Sequence, residues 1–111
     1  MNIKYLIPLF LSLVCVQTLA ADGKITINTP ANGATVSSNN KVPVGYAAIL
    51  GKEGDHLHLY VDYNRVDVLR EAKGTAELGA LTPGKHLICL SINMKSHAPT
   101  GVESCVDVIS Q

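Results

Sequence analysis

The sequence predicts an all-β sandwich closed by one disulfide, on three observations. Short alternating or β-branched runs recur roughly every 8 to 15 residues, separated by clusters of Gly, Pro, Asn and Ser. No stretch after the first twenty residues keeps a helical period. Two cysteines, Cys89 and Cys105, fall in the last two runs, where antiparallel pairing can join them.

The chain of 111 residues opens on a charged Met1-Asn2-Ile3-Lys4, an apolar run from Tyr5 to Val16 and a small-residue end at Gln17-Thr18-Leu19-Ala20. That is the pattern of an export signal cleaved after Ala20. A membrane anchor needs about 20 apolar residues, and this run is shorter and interrupted by Pro8. Cys15 follows Val14 rather than a small residue, which argues against lipid attachment. Residues 1–20 are therefore expected to be a signal peptide and residues 21–111 one small domain, resident in the periplasm without an anchor.

With Lys4 removed, eight basic residues face nine acidic ones. A balance so close to neutral gives no electrostatic reason for binding nucleic acid or an anionic membrane.

The candidate strands are Lys24–Asn28, Lys41–Ala48, His56–Tyr63, Val66–Arg70, Thr75–Leu81, His86–Asn93 and Val102–Ile109. Thr29-Pro30-Ala31-Asn32-Gly33 and Ser37-Ser38-Asn39-Asn40 punctuate the first of these. Tyr63-Asn64-Arg65 suits a tight hairpin, and Thr82-Pro83-Gly84-Lys85 a sharp corner. Seven strands in a domain of this size match a seven-stranded immunoglobulin-like β-sandwich.

The last two strands fix their own register. If Cys89 lies opposite Cys105, then Ile88 faces Val106, Leu90 faces Ser104 and Ile92 faces Val102, which makes one face largely apolar. The other face carries Leu87 with Asp107, the cysteine pair, and Ser91 with Glu103. In an oxidising compartment these two cysteines are expected to be joined. The short Cys-x-x-Cys spacing of redox and metal-binding pairs is absent.

In Asp55-His56-Leu57-His58-Leu59-Tyr60-Val61-Asp62, alternation sends Leu57, Leu59 and Val61 to the core and His56, His58, Tyr60 and Asp62 to the other face. Side chains two apart on a strand stand about 6.6 Å apart along it and point the same way, so two imidazoles can converge on one ion. In an immunoglobulin-like sandwich the third of these strands runs antiparallel to the sixth. The loop Met94-Lys95-Ser96-His97-Ala98-Pro99 then reaches the same rim, bringing His97 and, as a further candidate ligand, Met94. Glu53 and Asp55, in the preceding turn, are candidates for additional ligands or for partners of the ligands. Three histidines with a thioether suit copper, and with a carboxylate or water they suit zinc. The competing reading of the His-x-His pair is a polar sheet surface that contacts solvent or a partner.

His86 opens the sixth strand at the opposite pole. Its corner matches the position where sandwich domains place a tyrosine that bonds back to the corner backbone, so it is expected to be structural. No nucleophile–base spacing and no phosphate-cradling glycine loop is present, and a non-enzymatic role is expected.

Three segments, Gly54-Asp55-His56-Leu57-His58-Leu59-Tyr60-Val61-Asp62, Leu81-Thr82-Pro83-Gly84-Lys85-His86 and His97-Ala98-Pro99, together resemble a family of small exported bacterial immunoglobulin-like domains of unknown function. That family has a His-x-His strand, a Pro-Gly-Lys-His corner and a His-x-Pro loop. The resemblance implies an immunoglobulin-like fold and periplasmic residence, and places His56, His58 and His97 where the family's histidines fall; it supplies no activity.

The expectation is thus a small periplasmic protein, monomeric or weakly dimeric, that binds a copper ion through His56, His58, His97 and Met94 for carriage, buffering or delivery. The alternative is a metal-free interaction module or accessory subunit that binds a protein or glycan in the cell envelope.

Overall fold

The computed structural model describes residues 22–111, and the expected signal peptide lies outside them. Eight strands form: β1 (Lys24–Thr29), β2 (Ala34–Val36), β3 (Val42–Ile49), β4 (His56–Val61), β5 (Asn64–Leu69), β6 (Lys73–Leu78), β7 (Gly84–Asn93) and β8 (Pro99–Ser110). They make a three-stranded sheet in the order β1-β3-β6 and a five-stranded sheet in the order β2-β8-β7-β4-β5. No helix among the described residues is long and apolar enough to cross a membrane.

The strand beyond the expected seven is β2, inside a segment that reads as turns. It pairs parallel to β8, Ala34 beside Val108 and Val36 beside Ser110. Three residues are too few to show a period. Gly33 N–H donates to the Asp107 carbonyl at 2.7 Å and Gln111 N–H to the Val36 carbonyl at 3.0 Å, so the C-terminal strand holds β2 in place.

Alternation builds the core as expected. Across β4 and β7 the inward pairs are Leu57 with Ile92, Leu59 with Leu90 and Val61 with Ile88. Apart from the partly buried Val61, these side chains are fully buried, against Val42, Val44 and Tyr46 of β3, Ile25 of β1, and Ala76 and Leu78 of β6. Each large apolar side chain buried this way contributes about 1.5–3 kcal/mol, which makes the Leu57/Leu59 face the anchor of the histidine-bearing strand.

The β7–β8 register is as expected from Leu87–Asp107 to Ser91–Glu103, with Cys89 opposite Cys105 and bonded to it. The expected Ile92–Val102 pair does not form. A bulge intervenes and Asn93 meets Pro99 instead. Gly101 takes φ +98°, and the Thr100 hydroxyl donates to the Ile92 carbonyl at 2.9 Å, stitching the bulge to β7.

The β4–β5 turn also differs by one residue. Val61 pairs with Asn64, so the two-residue loop is Asp62-Tyr63, both with positive φ. Asp62 decides this. Its N–H donates to the Leu87 carbonyl at 2.9 Å, and its Oδ1 accepts the Leu87 N–H at 2.9 Å, which ties the turn to β7.

His86 occupies the corner as expected. Its Nε2 donates to the Thr82 carbonyl at 2.6 Å and its Nδ1 to Asp62 Oδ2 at 2.6 Å. Two acceptors flank the ring, so both nitrogens carry protons, and the Asp62 and Thr82 bonds hold the His86 pKa above its usual value.

Candidate metal centre

The outward positions of β4 and β7 pair as His56 with Asn93, His58 with Ser91, and Tyr60 with Cys89. Gly54 sets the entry to this face: a Cβ there would run into the Leu50 carbonyl, so only glycine lets the chain turn into β4. Although His56 and His58 point away from the sandwich core, they are only 1% and 2% exposed. They lie beneath the loop that joins β7 to β8, together with buried Ser91 and Asn93.

That loop is tightly folded. Met94 N–H donates to the Ala98 carbonyl and His97 N–H to the Met94 carbonyl, each at 2.8 Å, and His97 adopts a positive φ of 70°. Asn93 secures it from below. Its Nδ2 donates to the His97 carbonyl at 3.1 Å, and its Oδ1 accepts the Ser91 hydroxyl at 2.6 Å. From Leu87 onward β7 reads apolar except for Ser91 and Asn93, and these two polar residues on the face of the histidines are the sequence signal for this scaffold.

Three ring nitrogens meet. His56 Nε2 lies 3.0 Å from His58 Nε2 and 3.1 Å from His97 Nδ1, and the last two are also 3.1 Å apart. The outer nitrogens have partners of their own. His56 Nδ1 lies 2.8 Å from Asp55 Oδ2, and His58 Nδ1 lies 3.3 Å from the Tyr60 hydroxyl. Arg70 Nη1 stands 3.6 Å from the same Asp55 oxygen. The bond to His56, reinforced by the charges of Arg70 and Lys95, holds the Asp55 carboxyl below the usual carboxylate range. The ionised Asp55 accepts the Nδ1 proton of His56 and leaves its Nε2 bare. Burial, with the nearby Arg65 and Arg70 guanidinium groups adding to it, pushes the His58 pKa down, toward the neutral form that coordinates metals.

Protons alone do not satisfy this triangle. Each imidazole nitrogen offers either one N–H or one lone pair. With three nitrogens mutually in contact, at least one pair must set lone pair against lone pair or proton against proton. A cation shared by all three lone pairs removes the conflict. His56 Nε2, His58 Nε2 and His97 Nδ1 would hold such an ion as three neutral nitrogen donors.

The structure thus brings together His56, His58 and His97, with Asp55 bonded to His56. Met94 and Glu53 go elsewhere. They line a separate small cavity with Asp22, Gly23, Leu50, Gly54, Thr100 and Val102, which contains none of the three histidines. Cys89, Glu103 and Cys105 also cluster, but the two sulfurs are bonded to each other and offer no thiolate.

No family model matches the chain, and no curated protein matches it. Solved structures do. The fibronectin(III)-like modules of CbhA from Clostridium thermocellum superpose with a TM-score of 0.66 at 14% identity, covering 78% of this chain and 93% of the module. The chain shares the fold of fibronectin(III)-like modules. A Jonesia denitrificans lytic polysaccharide monooxygenase superposes with a TM-score of 0.51 at 17% identity over 74% of this chain, and the match spans 58% of that enzyme. At these identities the likeness concerns the immunoglobulin-like sandwich alone.

Proposed function

We propose that the chain is an exported protein that binds one transition-metal ion, copper in the first place, through His56, His58 and His97. Its role is to carry, buffer or deliver that ion in the periplasm rather than to catalyse a reaction. The observation that supports this reading is the mutual approach of the three imidazole nitrogens, 3.0–3.1 Å apart, two of them on buried rings. Neutral imidazoles suit copper and zinc, and among divalent ions such sites hold copper most tightly. His97, the exposed loop-borne member, suits a route for loading and release.

Copper(II) titration of the mature protein, read by visible absorption and electron paramagnetic resonance, tests this. One equivalent bound with nitrogen hyperfine structure is expected for the natural chain, and none in the His56→Ala/His58→Ala double variant. Equal stoichiometry in the two proteins sinks the proposal.

A second reading, an envelope interaction module, draws support from the fibronectin(III)-like fold, which is a common frame for binding surfaces. Recovery of a stoichiometric envelope partner in the presence of chelator, combined with absent copper binding, favours it over the first.

A further inference from the structure

The face that carries the triad also carries a cavity of about 290 Å³, lined by Tyr60, Tyr63, Cys89, Ser91, Pro99 and Glu103. The ladders explain its position. Tyr60 pairs with Cys89, Cys89 with Cys105, and Ser91 with Glu103, so these residues stand in adjacent rows of the outer sheet face. Cys89, bonded to Cys105, contributes an apolar patch, and Pro99 adds a wall from the end of the His97 loop.

Two features of this cavity are not demanded by the fold. Tyr63 is 84% exposed and sits at the second position of the Asp62-Tyr63 turn with φ 67°. Asn or Gly normally fills that position, and a bulky side chain there is uncommon, so an aromatic ring is held out over the cavity against local preference. Glu103 is the one carboxylate of the lining, no lysine or arginine accompanies it, and among the described residues it has no ion-pair partner.

We infer that this cavity binds a small organic cation, an alkylated or quaternary ammonium compound, between the Tyr60 and Tyr63 rings with Glu103 as counter-charge. Tyrosine faces attract cations through their negative quadrupole, and aromatic walls with a nearby carboxylate recognise ammonium groups whose methyls need an apolar surround. A neutral sugar would also stack on the tyrosines but would gain nothing from an isolated carboxylate charge. The site stands beside the metal centre and does not depend on it. Its one direct link is Tyr60, whose hydroxyl meets His58 Nδ1 at 3.3 Å.

The test uses mature protein kept metal-free with chelator, so that its outcome is independent of copper binding. Choline is titrated against amide and tyrosine ring NMR signals, with 3,3-dimethylbutan-1-ol as the neutral isostere. Saturable shifts are expected at Tyr60, Tyr63, Cys89, Ser91 and Glu103, with choline bound at least about fivefold more tightly than the alcohol. Glu103→Gln and Tyr63→Ala are both surface changes that leave the core intact, and each is expected to weaken choline by about threefold or more. Equal affinity for choline and the alcohol, or no effect of Glu103→Gln, overturns the inference. So does silence toward choline, including the case where an N-acetylglucosamine tetramer shifts the same signals.

Discussion

Asp55 Oδ2 lies 2.8 Å from His56 Nδ1, and that bond fixes which nitrogen of the buried ring is free for a metal. A carboxylate that takes the Nδ1 proton leaves the Nε2 lone pair aimed at His58 and His97. It also makes the ring a better donor, the usual role of a carboxylate behind a metal-bound histidine. Asp55 is itself placed by its backbone, whose N–H donates to the Asn93 carbonyl at 2.9 Å, so the same β7 residue positions both Asp55 and His97.

Replacement of Asp55 by Asn keeps the size of the side chain and removes its charge. The Asp55→Asn protein is expected to bind one ion as before, about 10- to 100-fold more weakly. Competition against a chromophoric chelator measures this directly. An unchanged dissociation constant would show that the Asp55–His56 bond orients nothing that matters to the ion.

The crowded triangle makes a second prediction, about stability. In the metal-free protein the three nitrogens impose an unsatisfied contact, so His97→Ala, which removes the exposed member, is expected to cost little and leave the melting temperature nearly unchanged. Metal reverses the comparison. At a free ion concentration a hundred times Kd, binding adds about 2.7 kcal/mol, worth roughly 10–20 °C in a domain of this size. Differential scanning calorimetry of both proteins, with and without zinc or copper, is the measurement. A comparable metal-induced rise in His97→Ala would remove His97 from the site.

How far the site was legible in the sequence follows from the geometry of strands. A period of two is rigid, so His56, His58 and the core-facing Leu57, Leu59 and Val61 could be placed with no structure. Strand order in a sandwich is nearly as constrained, and it brought His97 to the rim. Loop side chains obey neither rule. Met94 sits within the same loop as His97 yet lines the opposite cavity, because the tight Met94–Ala98 turn and the positive φ of His97 decide directions that no pattern encodes. Burial of the outward face was hidden for the same reason: the alternation shows which side a histidine takes, not that a folded loop covers it. The Thr100-Gly101 bulge and the three-residue β2 fall below the length at which periodicity carries information.

The disulfide gives a prediction independent of metal. Cys89 and Cys105 are 16 residues apart, and in the chain-entropy model closing a loop of that size contributes roughly 3 kcal/mol. The inward residues Ile88, Leu90 and Val106 are untouched by its loss. Reduced protein, or a Cys89→Ala/Cys105→Ala variant, should therefore stay folded at room temperature and melt roughly 10–20 °C lower, with metal stoichiometry retained. Urea unfolding of the variant checks the stability, and an equal midpoint with and without the bond would show that the bond adds no net stability.

His86 and Asp62 supply a pH dependence with a defined sign. The bonds to Asp62 and Thr82 raise the His86 pKa above the ordinary histidine value of 6.5, so the pair's contribution is full below pH 6.5 and is lost as pH rises through the raised value. Asp62 is shifted the other way, by the Leu87 N–H and by His86, so its contribution is present above 3.8 and is lost as pH falls through the lowered value. Both effects are complete only between about pH 4 and 6.5. With Asp62 45% exposed, screening keeps the gain to about 1 kcal/mol or less. Urea midpoints of the natural chain should therefore exceed those of His86→Gln most clearly near pH 5.5, with the gap narrowing toward pH 9. A gap that widens with pH would mean that His86 is neutral at the corner and that Thr82, rather than Asp62, is the partner that holds it.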